Sequence, residues 1–77
     1  MAQDHFLDLR GVACPMNFVK TRLYLDKIST GDLLKVFLDE GEPVESVSSS
    51  VAAEGHAVLE CSKAAEGHYL VLIRKES

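Results

Sequence analysis

The chain has no apolar run approaching the ~20 residues that a bilayer-spanning helix needs, and Met1-Ala2-Gln3-Asp4-His5 is not a basic stretch leading into an apolar one. No membrane partner is expected, and the cytoplasm is the expected address. Cysteine is scarce, two in 77 residues with no Cys-x-x-Cys pair, which argues for reduced thiols and against a disulfide framework. Positive charge is in deficit: eight Lys and Arg face twelve Asp and Glu, a net charge of −4. That balance disfavours extended binding to phosphate backbones, so no direct nucleic-acid partner is expected. Internal repeats, linkers and low-complexity tracts are missing too, and a single domain over residues 1–77 is expected. With 47% hydrophobic and 26% charged residues, the composition is that of a folded globular chain with a small core.

What is present is one concentrated signal, Leu7-Asp8-Leu9-Arg10-Gly11-Val12-Ala13-Cys14-Pro15, which sets a cysteine in the first turn of a predicted helix directly after a predicted strand. Backbone N–H groups at a helix start have no intrahelical partner, and the macrodipole leaves about half a positive charge there. A thiolate is stabilised in that place and a neutral thiol is not, so cysteine is shifted down from its usual ~8.5. Cys14 is the candidate for chemistry. Pro15 suits the first helical position, Gly11 supplies the turn out of the strand, and Arg10 is close enough in sequence to add positive charge beside the sulfur. The other reading of Cys14 is a small apolar residue at a cap, buried and inert.

The pattern Leu-Asp-x-Arg-Gly-x-x-Cys-Pro, followed by a basic amphipathic helix, resembles the TusA/SirA family of small bacterial sulfur carriers. Gly31-Asp32, Asp39-Glu40, Glu54-Gly55-His56 and Leu72-Ile73-Arg74-Lys75 extend the resemblance over nearly the whole chain. It implies that Cys14 carries sulfur as a persulfide without a cofactor. It also implies a donor such as a cysteine desulfurase or rhodanese-like protein, and an acceptor sulfur-relay protein. The outlets it implies are tRNA thiolation, molybdenum-cofactor maturation or oxidation of reduced sulfur. The family motif usually runs Cys-Pro-x-Pro, and here the last position is Asn17. Asn17 restores a backbone N–H near the helix start and gives up the second proline's stiffness, which is expected to tune the site.

Along the chain, His5 to Leu9 reads as a strand and Pro15 to Ile28 as a helix. Phe18, Thr21, Leu25 and Ile28, flanked by Val19, form that helix's apolar face. Lys20, Arg22 and Lys27 lie on its exposed side, either as a solvated surface or, for Lys20 and Arg22 in particular, as a docking patch for an acidic partner. Leu33 to Leu38 alternates as a second strand with Leu34, Val36 and Leu38 on one side. The acidic turn at Asp39-Glu40-Gly41-Glu42-Pro43 opens a second helix striped by Val44, Val47 and Val51, and Gly55 stops it. Residues 56–62 and 68–74 read as a hairpin. If its loop closes symmetrically, Ala57, Leu59 and Cys61 share a face with Tyr69, Val71 and Ile73. His56, Val58, Glu60, Ser62, His68, Leu70, Leu72 and Arg74 then share the other, a mixed face with room for a partner. The order βαβαββ with right-handed crossovers predicts a two-layer α/β sandwich: a mixed four-stranded sheet with both helices on one face.

Rival chemistries fare worse. A metal site would draw on Cys14, Cys61, His5, His56 and His68, but His56 and His68 fall at opposite ends of the hairpin, roughly 20 Å apart. Cys61 is expected to be core packing, out of reach of a disulfide with Cys14. A cysteine hydrolase needs a base beside the sulfur, and His5 is the only histidine near in sequence. Two readings stand: sulfur transfer on Cys14, shaped by Arg10, Gly11, Pro15 and Asn17, or a non-catalytic regulatory or interaction module in which Cys14 is only a cap.

Overall fold

The computed structural model describes residues 3–13 and 16–76. Cys14 and Pro15, with the expectations placed on them, lie outside the described residues. The elements are β1 (Asp4–Asp8), α1 (Met16–Lys27), β2 (Leu33–Leu38), α2 (Glu42–Ala53), β3 (Ala57–Lys63) and β4 (Tyr69–Arg74). The strands form one sheet in the order β1-β2-β4-β3, with β1 and β2 parallel and the other pairs antiparallel. This is the expected mixed sheet under two helices.

The alternation of Leu33–Leu38 sends Leu34, Val36 and Leu38 into the core, where they meet Val71 and Ile73 of β4 and Leu25, Val47 and Val51 of the helices. Each such side chain contributes about 1.5–3 kcal/mol by leaving water. The stripe of α2 is Val44, Val47 and Val51, as its spacing predicts. This helix ends in a Schellman motif: Gly55, at φ 93°, donates to the Ala52 carbonyl and His56 N–H to that of Val51.

Two expectations are corrected. The buried residues of α1 are Asn17, Thr21 and Leu25, with Ile28 buried just past its end, while Val19 is exposed and Phe18 only partly covered. The inward face follows the four-residue series 17, 21, 25, and its first two members are polar. The second correction concerns β3. The hairpin closes with Lys63 opposite Tyr69 and Cys61 opposite Val71, and a bulge between Val58 and Glu60 then shifts the register. An odd shift in a strand exchanges its faces. Val58, opposite Ile73, therefore packs on the core, and Leu59 is exposed. Cys61 keeps the helix-side face that pairs with Val71 but sits on the outer strand, where Leu59–Lys63 are all exposed, so it is an exposed free thiol and not core packing.

On the opposite face of the sheet the register lines up Phe6, Lys35, Leu72 and Glu60, and beside them Asp8, Phe37, Leu70 and Ser62. Phe6 meets Phe37 edge to face at 4.8 Å, and His68 lies against Phe37 at 4.5 Å.

Candidate functional site

The strand-to-helix connection after β1 is built from the residues that the sequence singled out. Leu9 N–H extends the sheet by donating to Phe37 O at 2.8 Å, and Val12 N–H turns the chain back onto Leu9 O at 3.1 Å. Gly11 takes φ 80°, a conformation that side-chain-bearing residues resist. Its N–H donates to Asp39 Oδ2 at 2.8 Å, tying this loop to the β2–α2 connection.

Arg10 is engaged with Asp8. Its Nε and one terminal nitrogen donate to the two carboxylate oxygens at 2.9 and 2.7 Å, and its backbone N–H adds a third bond. The guanidinium also lies over the Phe37 ring, 5.2 Å from its centroid. These donors, the side chain first, lower the Asp8 carboxyl to about 2. The pair is exposed, so its effect on stability is small.

Asn17 is fully buried in the first turn of α1. Its backbone N–H, the one a proline would lack, donates to Ala13 O at 3.2 Å, and its carbonyl accepts from Thr21 Oγ1 at 2.8 Å. The side-chain Oδ1 accepts from Phe18 N–H at 2.6 Å. The Nδ2 is buried and has no hydrogen-bond partner among the described residues. A donor left in that state costs about 1–3 kcal/mol. Asn17 is expected at the helix start from its place after Cys14-Pro15; its burial, masked by polarity in a hydrophobic pattern, shows only in the fold.

Of the two proposed docking residues, Lys20 is exposed, and Arg22 is exposed but bridged to Glu54 at 3.1 Å, joining α1 to the end of α2. His5 lies at the far end of β1, bonded to Asp32 at 3.0 Å. His56 Nδ1 accepts from Glu76 N–H, whereas His68 sits at the other end of the hairpin beside Phe37. Among the described residues no three His, Cys, Asp or Glu side chains gather to hold a metal ion, and no helix is long and apolar enough to cross a membrane. A cavity of about 290 Å³ between Tyr69 and the start of α2 is lined by Glu40, Gly41, Val44 and Glu45, none of them a predicted site residue.

The family model for sulfurtransferase TusA matches residues 5–75, from β1 through the last strand. The chain belongs to the TusA family. It is 40% identical over 73 residues to a provisionally named sulfur carrier protein of Archaeoglobus fulgidus, covering 95% of this chain and 83% of that one. A second protein so named, from Thermotoga maritima, is 31% identical over 68 residues, covering 88% and 86%. The crystal structure of a SirA-like protein from Desulfitobacterium hafniense superposes with a TM-score of 0.83 over 95% of this chain and 99% of that one, at 18% identity. That likeness establishes the fold.

Proposed function

We propose that this protein is a sulfur carrier that holds sulfur as a persulfide on Cys14 and passes it to an acceptor protein. The observation that carries this reading is the match to the TusA family over residues 5–75, which takes in the whole Leu7–Pro15 motif. Relatives provisionally named sulfur carriers support it. Chemically the exchange is simple. The Cys14 thiolate attacks the outer sulfur of a donor persulfide, a new S–S bond forms, and the donor leaves as its own thiolate. Delivery repeats the exchange with the acceptor thiolate as the attacking group. The sulfane sulfur moves with no net change of redox state, and no resident base is required. A cysteine desulfurase or a rhodanese-like protein is the donor class this chemistry suits.

Incubation with a cysteine desulfurase and cysteine, read by intact-mass spectrometry, tests the proposal. Wild type is expected to gain one sulfur atom and Cys14→Ser none. If wild type gains none from desulfurase, polysulfide or thiosulfate and Cys14 is also inert to alkylation, the carrier reading fails and the interaction-module reading takes its place.

A further inference from the structure

We infer that the helix-free face of the sheet is a contact surface for a second copy of this chain, formed as a reversible two-fold dimer. The two faces of the sheet differ. Leu34, Val36, Leu38, Val71 and Ile73 are all buried under the helices, whereas no described strand residue on the other face is buried. A sheet face left to water is ordinarily polar. This one carries Phe6, Phe37, Leu70 and Leu72 side by side, with Phe6 51% exposed and 4.8 Å from the Phe37 ring. An apolar centre among charged neighbours is the make-up of a contact surface.

The charges on this face select its occupant. Asp8 is already paired with Arg10, and Arg74 with Glu76. Lys35, Glu60 and Asp4 meet no opposite charge among the described residues, and Glu60 accepts only from the Ser62 hydroxyl, at 3.2 Å. Lys35 and Glu60 stand in one row across the sheet with Leu72 between them, two strand spacings or about 10 Å apart. Consider a second copy laid face to face about a two-fold axis that runs along the strands between β2 and β4. Phe37 then faces Leu70 of the other copy, and Lys35 faces Leu72 with Glu60 of that copy one strand, about 4.8 Å, further on. Asp4, at the corner of the face, comes beside Arg74 of the other copy in the same way. Each pairing occurs twice, because a two-fold contact is the same patch on both chains. A partner of one charge sign would leave either Lys35 or Glu60 unmet. The face spans four strands of five to seven residues, roughly 19 by 20 Å. That is well under the ~800 Å² a side of a stable complex, so the dimer is weak, with Kd expected at about 10 µM to 1 mM.

Sedimentation velocity from about 10 µM to about 2 mM tests this, with reductant present so that the exposed Cys61 thiol cannot cross-link. Wild type is expected to pass reversibly from one chain toward two as concentration rises. Lys35→Glu and Glu60→Lys, each checked by thermal melting, are expected to weaken association about tenfold or more. Lys35→Glu combined with Glu60→Lys is expected to restore it to within about threefold. Amide NMR shifts of wild type followed on dilution add a readout that needs no variant to fold. They are expected to move at positions 6, 35, 37, 60, 70 and 72 and to stay fixed along α1 and α2. A wild type that remains one chain throughout overturns the inference and leaves the face to a different protein. Association untouched by either single variant, a folded double variant that stays monomeric, or shifts confined to the helices overturns it too, because the copies would then meet elsewhere or not through this pair.

Discussion

At the end of the sheet where β1 and β2 begin, one buried carboxylate gathers the chain. Asp32 accepts from Gln3 N–H, Ser29 N–H and His5 Nε2 at 3.0–3.1 Å. Beside it, Lys75 exchanges backbone bonds with Asp32 and Gly31 and sends its Nζ to Ile28 O. At the opposite end, where β1 leads toward Cys14, Gly11 N–H donates to the exposed Asp39 carboxylate and Lys63 bridges to exposed Glu40. A buried amide donor lies there unpaired among the described residues. The comparison teaches that the two ends are held differently: the far end gathers three donors on one buried carboxylate, and the near end leaves a buried amide donor without a partner among the described residues.

Breaking each tie separates the two ends. Asp32→Ala removes an acceptor serving three donors and is expected to lower the melting temperature on the order of 10 °C, with little change in Cys14 alkylation at temperatures where the protein stays folded. Asp39→Ala is expected to do the reverse, costing about 1 kcal/mol or less while changing the alkylation rate by loosening the loop. Thermal melts paired with alkylation kinetics decide it, and equal effects at both sites would dissolve the distinction.

Acid sharpens the same contrast. His5 first, then the Gln3 and Ser29 amides, hold the Asp32 carboxyl below its reference value of 3.8. A depressed folded value means that the unfolded chain takes up the proton first. Asp32's contribution is therefore complete above that reference and is lost as the pH falls through the folded value. Melting temperatures followed from about pH 6 to about pH 2 are expected to fall less steeply for Asp32→Asn than for wild type. Asp8, lowered to about 2 by Arg10, acts in the same direction, but as an exposed group it adds little. Asp8→Asn is expected to leave the slope nearly unchanged.

The smallest effect is expected at Cys61. Exposed on the outer strand, it is expected to change stability by less than about 0.5 kcal/mol when replaced by serine, a value that equilibrium urea unfolding resolves. A buried thiol would cost several times more.

Much of this was legible in the sequence because it is local. The alternation of Leu33–Leu38, the valine stripe of α2 and the stop at Gly55 each follow from spacing and backbone preference within a few residues. Gly11 and the element order were readable for the same reason. The rest depends on what meets across the fold. Asp32 finds partners 27 and 29 residues away, which leaves no periodic trace. The bulge in β3 is set by how an outer strand follows the sheet, and it moved Val58 inward and Leu59 outward. Asn17 sat in plain view on the inward series of α1, hidden because apolar patterning overlooks a polar member.

The central claim, that the sulfur belongs to Cys14, meets its sharpest challenge in the second thiol, because Cys61 is open to any reagent. The most direct measurement is peptide-resolved mass spectrometry of wild-type protein loaded with a limiting amount of persulfide donor, with both thiols competing. The account predicts the added sulfur on the Cys14 peptide, with the Cys61 peptide unmodified. Sulfur on Cys61 first, or equally on both, would contradict it.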